Sequence, residues 1–586
     1  MVWFIRDRAR LDRERRAVEQ LQSNASWLKG VDWKITEDGR LAIDAEIEAH
    51  DHVYHTRMTY PAFFPEAPPI VTPRDASEDW STHQYRGGTL CLEWGPDNWC
   101  NDITGAQMLE STYRLLHAEN PRGTEKYSVL PSRHELSLGQ ELKDAFLLFY
   151  ISRPLKEFLR ALPEGSSGEI RHAVLYRQRT SCLVYLLSVA PSGKEKWEDP
   201  SLPIGFRKED AREGIFYKTD LAAGDPDAIK SIADLNGALE KAGLGHVPDP
   251  YLAADHPTCV LLTSGRSGIH LLLLVDPKKG DLYRAHNLDA SGDAQRLRLP
   301  PEFVNISDRK VGIVGLGSVG SKVAVSLART GIREFVFSDD DVFLPGNACR
   351  HSLDWRSLGV HKAKAVAQAL EYLGPSVTVN ANTVSITGQE STATVNRILD
   401  QLSRCSLLVD ATANAAAFNM LSAIAVARSI PLVWMEVFPG GIGGLIARYR
   451  PGIDPDPKTM RLAYLQFTEE HPFPDLPLTA EYTAGEAEGN PIVATDADVS
   501  LIADYATELA LDSLLRPATS LFPVSMYLIG LRRYWVFSAP FHTIQVPTDH
   551  LYQNAGVEEP AAEVMEEGGK FLLGILQRLS SDTSPQ

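Results

Sequence analysis

No two cysteines in this chain stand two residues apart. Its six cysteines, Cys91, Cys100, Cys182, Cys259, Cys349 and Cys405, are scattered, and none follows Cys405. That spacing excludes a small disulfide framework and the usual structural zinc sites. No apolar run reaches the roughly 18 residues that a membrane-spanning helix needs. Positive charge is scarce: 58 Lys and Arg face 76 Asp and Glu, for a formal net charge of −18. A surface of that sign repels a phosphate backbone, so no nucleic-acid partner is expected. The first residues, MVWFIRDRARLDRERRAVEQL, are charged throughout and lack the apolar core of a secretion signal. A reducing cytoplasm is the expected setting, with no membrane partner.

What remains is an α/β chain of 586 residues, too long for one core. Three parts and a tail are expected, at 1–121, 122–300, 301–560 and 561–586. The first opens with a charged helix and continues with the alternating strand LAIDAEIEAHD. The proline-rich YPAFFPEAPPIVTP cannot be helix interior. A cysteine-bearing loop and the helical ITGAQMLESTYRLLHAEN follow. The middle part has strand-like runs (SCLVYLLSVA, CVLLTS, HLLLLVD) but no motif, and reads as a linker or scaffold domain. In the third part KVGIVG, EFVFSD, SVTVNAN, SLLVDAT and IPLVWMEV are short buried-type strands between helical segments. That alternation predicts a doubly wound, Rossmann-like sheet. GGKFLLGILQRLS predicts a last helix before a polar tail.

Gly315, Gly317 and Gly320 follow the strand KVGIVG and open the helix SVGSKVAVSLARTG. In that context a G-x-G-x-x-G spacing predicts a nucleotide phosphate on a helix N-terminus. Asp339, at the end of the next strand, is placed to hold ribose hydroxyls. Asn347, Arg350 and Lys362 come next, and the two cations suit a triphosphate better than a nicotinamide dinucleotide.

This stretch resembles the adenylation domain of ubiquitin-activating enzymes and their bacterial sulfur-carrier relatives (ThiF type). The family's two acids and valine, its N-x-x-R and its G-x-x-K are matched in order by Asp339, Asp341 and Val342, by Asn347 and Arg350, and by Gly359 and Lys362. DATAN, Asp410 to Asn414, resembles the family's D-x-T-D-N. The second acid of that motif is Ala413 here, so Mg2+ must rest on Asp410, on another acid or on the phosphates themselves. The resemblance implies ATP as cofactor, a homodimer and an acyl-adenylate at a protein C-terminus, with Asn414 also in the nucleotide site.

In the first part, GGTLCLEWGPDNWCNDITG puts Cys91 after a glycine-rich turn. A thiolate suits acyl relay, since it both attacks and leaves well. The Y-P-x-x-P-P-like stretch, His83, Cys91, Trp99 and the helix together resemble a ubiquitin-conjugating domain. The usual His-Pro-Asn triplet is absent. The pairing of the two domains resembles bacterial fusion proteins of antiphage operons, including CBASS. It implies transfer of a ubiquitin-like protein, or another protein's C-terminus, through Cys91 to a target lysine. Activating domains usually carry a later cysteine; Thr495 stands near that position. Thr495 can form an oxyester or simply cap the helix that begins with Asp496. Two other functions fit the motifs: a sulfur-carrier adenylyltransferase with a passive N-terminal module, and a nucleotide-binding assembly protein without catalysis.

Overall fold

The computed structural model describes residues 2–75, 77–78, 80, 84–85, 88–123, 138–143, 145–177, 181–220, 229–252, 256–264, 270–276, 279–290, 299–387, 391–473, 478–480, 483–484, 492–548 and 562–581. The chain forms two compact units, Met1–Lys143 and Asp144–Gln586. His83 and the polar end of the tail lie outside the described residues.

In the first unit a helix α1 (Arg8–Asn24) precedes an antiparallel sheet of β1 (Leu28–Ile35), β2 (Leu41–Ala49), β3 (His52–Thr59) and β4 (Ile70–Pro73), in that order. A second helix α2 (Gly105–Glu119) covers it. Alternation along β2 sends Ile43, Ala45 and Ile47 to the core, as the sequence pattern requires. The two helices meet at Glu14, which is fully buried. Its carboxylate accepts from the Gly105 amide at 2.6 Å and the Tyr60 hydroxyl at 3.0 Å, and pairs with Arg10 at 3.0 Å. Burial still pushes its pKa up.

The second unit begins with a sheet that closes on itself. Its strands are β5 (Leu147–Ser152), β6 (Ser167–Arg177), β7 (Ser181–Pro191), the short β8 (Trp197–Glu198), β9 (Arg212–Lys218), β10 (Thr258–Thr263), β11 (His270–Val275), β12 (Leu282–Arg284) and β13 (His286–Ala290). The order runs β12-β11-β10-β9-β6-β7-β5-β13, with β8 on β7. Only Ala285 separates β12 from β13, and they pair with opposite ends of that series. The result is a small barrel filled by Phe149, Val184, Phe216, Leu261 and Leu272. A helix α3 (Arg153–Ala161) packs Leu155 and Leu159 into the same core. Lys218, itself buried, donates to the carbonyls of Leu159, Arg160 and Leu162 at the end of α3. A cation suits those unpaired carbonyls. The part expected as a linker or scaffold domain has a core of its own.

The rest of the unit is an eight-stranded sheet, ordered β16-β15-β14-β17-β18-β19-β23-β24. Its strands are β14 (Lys310–Val314), β15 (Glu334–Ser338), β16 (Thr378–Asn382), β17 (Leu407–Asp410), β18 (Leu432–Val437), β19 (Gly443–Tyr449), β23 (Met526–Gly530) and β24 (Thr543–Gln545). Between β19 and β23 lies a small sheet of β20 (Leu478–Ala480), β21 (Thr483–Ala484) and β22 (Ile492–Val493). The first five strands of the large sheet are parallel, as the alternation predicts, and the last three are antiparallel. The order reverses between β14 and β17, so a crevice opens at their carboxyl ends. Helices α4 (Ser318–Thr330), α5 (Lys362–Leu370), α6 (Ala415–Arg428), α7 (Pro457–Glu470) and α8 (Asp496–Leu515) surround the sheet, and α9 (Ala562–Ser581) follows. Ile502, Ala503, Ala506, Leu509 and Ala510 make a helical stripe that buries α8 against α4, β18 and β19. The barrel touches the end of α5: Gly205 N–H donates to Glu371 O at 3.1 Å, and Lys208 pairs with the Glu371 carboxylate at 2.6 Å.

One buried charge network ties α8 to the sheet. Arg448 and Asp512 are both fully buried. Asp512 accepts from Arg448, from Arg516 at 2.9 Å, from Ser520 at 2.5 Å and from the Leu521 amide at 3.1 Å. Burial alone would push this carboxyl up; those hydrogen bonds outweigh it and hold its pKa below the usual carboxylate range. The stabilisation is present above that range and is lost as pH falls through the lowered pKa. Asp512→Ala leaves Arg448 without its anion and is expected to cost about 3–5 kcal/mol in urea unfolding at neutral pH. The difference from wild type should shrink as the pH is taken below about 4.

Candidate functional site

The crevice holds two cavities that share Asn414. The larger, about 300 Å³, is lined by Val314, Gly315, Gly317, Ser338, Asp339, Asp341, Lys362, Ser385, Thr412 and Asn414 among others. The smaller, about 20 Å³, is lined by Asp410, Ala413, Asn414, Trp434, Glu436, Arg461 and Tyr464 among others.

The turn between β14 and α4 explains two of the glycines. Gly315 has φ +86°, a conformation that disfavours a Cβ. A Cβ on Gly320 would sit 1.9 Å from the Gly315 carbonyl oxygen. Gly320 therefore lets the helix close onto the turn, and it does not line either cavity. Gly317 caps α4 and borders the larger cavity. The first N–H groups of α4 are thus offered to an anion.

Asp339 holds the turn in place. Its carboxylate accepts from the Leu316 amide at 2.6 Å and the Asp341 amide at 2.9 Å. Burial pushes its pKa up against those bonds. His351 grips the same residue from the other side, its Nε2 lying 2.7 Å from the Leu316 carbonyl oxygen. Leu353 N–H donates to Nδ1 at 3.1 Å, which leaves Nε2 as the protonated nitrogen. Burial pushes the His351 pKa down to about 4, so the ring is neutral at pH 7. The adjacent pattern Asn347, Arg350 was legible in the sequence; His351, next in line, was overlooked.

Lys362 is almost fully buried, and its ammonium pairs with Asp341 at 2.7 Å on the wall of the larger cavity. Asn347 and Arg350 line neither cavity. Asn347 accepts the Leu344 amide at 2.8 Å, and Arg350 donates to the Ala494 carbonyl at 3.3 Å. Asn414 caps α6 by accepting from the Ala416 and Ala417 amides at 2.8 and 3.1 Å.

Asp410 faces the smaller cavity. Its Oδ1 accepts from Thr412 N and Oγ1 at 3.0 and 2.6 Å. Burial pushes its pKa up. Ala413 adopts φ +51° and brings no donor. Among the described residues no three His, Cys, Asp or Glu side chains gather to hold a metal. A single carboxylate still fits Mg2+, which takes one or two protein oxygens and draws the rest from phosphates and water. Glu436 and Arg461, on the same wall, carried no sequence signal.

Thr495 is the N-cap of α8. Its hydroxyl donates to Asp498 at 2.9 Å, and the Asp498 amide points back at 3.3 Å. Arg532 pairs with the same carboxylate at 3.0 Å. Next to Thr495, Asp496 pairs with Lys322 of α4 at 2.6 Å. In the first unit, Cys91 is half-buried with the Tyr85 hydroxyl 3.9 Å from its sulfur, and Cys100 is exposed.

Residues 296–461 match the ThiF family, and residues 170–282 match a domain described as observed between E2 and E1 domains. The uncharacterized protein y4qC of Sinorhizobium fredii is 30% identical over 471 residues, which cover 74% of this chain and 77% of that one. The chain belongs to the y4qC family. It carries a ThiF-family adenylation domain. Ubiquitin-like modifier-activating enzyme 5 of Drosophila sechellia is 29% identical over 168 residues, 27% of this chain. The chain spans about two fifths of that enzyme's length, 40%. A crystal structure of E. coli MccB with ATP matches 42% of this chain and 66% of its own at 15% identity, with a TM-score of 0.31, a likeness too slight to argue from. No described helix is long and apolar enough to cross a membrane.

The grip of His351 on the glycine turn gives a test. His351→Phe keeps the ring's volume and removes both hydrogen bonds. Nucleotide affinity by calorimetry is expected to fall about tenfold, the equivalent of one to two modest hydrogen bonds.

Proposed function

We propose that this protein uses ATP to adenylate the C-terminus of a ubiquitin-like protein, or of another protein partner, and passes the acyl group to Cys91 for transfer to a target lysine. The observation that carries the reading is the middle domain. A segment whose relatives are observed between E2 and E1 domains lies here between a cysteine-bearing α+β unit and a ThiF-family domain. E1 enzymes activate and E2 enzymes conjugate, so the flanking parts are assigned those roles. The named relatives that activate ubiquitin-like modifiers support the first half. A place in bacterial antiphage defence, in the cytoplasm and as a homodimer, extends the same reading.

The chemistry asked of each residue is specific. The N-terminus of α4 and Lys362 offer positive charge for phosphates, and Asp339 offers acceptors for ribose hydroxyls. Lys362 must then share or release Asp341. Asp410 would hold Mg2+, which supplies further positive charge for the phosphates. Attack by the partner's carboxylate on the α-phosphorus releases pyrophosphate and leaves an acyl-adenylate. Cys91 then displaces AMP directly, or Thr495 displaces AMP to form an oxyester from which Cys91 takes the acyl group and releases the Thr495 hydroxyl. Asp498 is within hydrogen-bond distance to take the Thr495 proton.

Incubation with ATP, magnesium and a ubiquitin-like protein that it activates should give an adduct on non-reducing gels that thiols reverse and Cys91→Ala abolishes. Lys362→Met is expected to cut ATP–pyrophosphate exchange about 100-fold while leaving the fold intact. An exchange reaction that survives with no Cys91-dependent adduct would instead favour a sulfur-carrier adenylyltransferase. If Thr495 carries the acyl group, a Cys91→Ala protein retains a thiol-resistant, hydroxylamine-labile adduct that Thr495→Ala removes. An unchanged adduct in Cys91→Ala/Thr495→Ala confines Thr495 to capping α8.

A further inference from the structure

We propose that the Tyr85 hydroxyl donates the hydrogen bond that stabilises the oxyanion formed at a Cys91 thioester. The proposal rests on Cys91 as acyl carrier, and it assigns the donor that the missing His-Pro-Asn triplet leaves open.

Local backbone pairing builds the contact. Gln84 and Leu90 form an antiparallel bridge, and the Tyr85 amide donates to the Thr89 carbonyl at 2.8 Å. The Gly88 amide closes the turn onto the Tyr85 carbonyl at 2.9 Å. Leu90 N–H donates to Val71 O of β4 at 2.8 Å, which fixes the turn to the sheet. The Gln84 side chain adds two more ties, accepting from Trp80 N at 2.8 Å and donating to Glu78 O at 3.0 Å. Paired strands alternate faces. Leu90 points inward and is buried, so its neighbour Cys91 and the diagonal Tyr85 share the outer face.

On that face the Tyr85 hydroxyl donates to Cys91 Sγ at 3.9 Å, the one hydrogen bond that this sulfur makes among the described residues. Tyr85 is 40% exposed, open to an incoming acyl group. Burial, the bond to Cys91 and the nearby Asp97 push its pKa up to about 12. The phenol therefore keeps its proton at neutral pH and has it to donate. A carbonyl carbon bonded to Sγ carries its oxygen into the space beside the sulfur. There the hydroxyl can meet it at about 3 Å, the distance at which such donors act.

The step balances without a further reagent. An amine nitrogen forms a bond to the thioester carbon, and the carbonyl π pair moves to oxygen, where Tyr85 donates. The oxyanion collapses, the C–S bond breaks and Cys91 leaves as thiolate. The ammonium proton passes to water. The same donor serves when Cys91 first attacks the activated acyl group.

The test loads wild type, Tyr85→Phe and Tyr85→Gln to a constant level of Cys91 thioester, removes ATP, and follows discharge to free lysine. Tyr85→Phe should reach the wild-type plateau, more slowly, and then discharge about 100-fold more slowly at saturating lysine. The half-saturating lysine concentration should not move. Tyr85→Gln, which returns an N–H donor, should recover part of the rate. Discharge of Tyr85→Phe at the wild-type rate overturns the proposal. So does a loss that lies wholly in the half-saturating lysine concentration, or a variant that never reaches the plateau. If wild type itself forms no Cys91 thioester, the acyl-carrier reading fails and the proposal falls with it.

Discussion

The close approach of α4 to the end of β14 is the constraint on which the crevice depends. A Cβ on Gly320 would sit 1.9 Å from the Gly315 carbonyl oxygen, far inside any tolerable contact. Without that glycine the helix could not start where it does, and its free N–H groups would not border the larger cavity. Two side chains then hold Leu316 between them: Asp339 takes its N–H and His351 meets its carbonyl. One peptide segment is thus clamped by an acid just past β15 and a buried imidazole beyond it. A residue can help build a phosphate-type cradle without touching its contents, and His351 does so here.

The same logic separates the parts of the chain that sequence revealed from those that it did not. Four of the five parallel strands were legible because each is a short apolar run flanked by a helix, and burial on both faces demands that composition; β16, at the sheet edge, is the polar TVNAN and only partly buried. Gly315, Gly317, Asp339 and Lys362 were legible because their spacing encodes a turn, a helix start and a cavity wall. Asn347 and Arg350 sat in the same motif, yet the structure turns their side chains to backbone groups, Leu344 N–H and Ala494 O. Motif order reports which residues share a neighbourhood and leaves open which of them face the cavity. Arg461 and Glu436 reach the smaller cavity from α7 and β18, far apart in sequence, so no local pattern could pair them. The barrel was hidden for a different reason. Its closure hangs on Ala285, a single residue between two short strands, and nothing in composition marks such a junction.

Charge at the crevice is paired in advance. Lys362 is held by Asp341, Lys322 by Asp496, and Arg532 by Asp498. The two latter pairs bracket Thr495, so the start of α8 is tied to α4 on one side and to the chain after β23 on the other. These pairs differ in what they can do. Asp341 and Asp496 are largely solvated, so their ion pairs contribute little to stability and can be exchanged at low cost. Asp498 is mostly buried, takes the Thr495 hydroxyl and amide as well, and closes the first turn of the helix. An anion entering the larger cavity therefore competes first for Lys362, whose head is already at the wall and whose partner is exposed. The capping carboxylate stays in place. In this arrangement the exposed Asp341 is the carboxylate that an incoming anion would displace from Lys362, while the buried Asp498 keeps its structural bonds. Ala413 brings no carboxylate to hold a cation, so Lys362 and the N-terminus of α4 are the positive groups that the chain itself presents to an anion there.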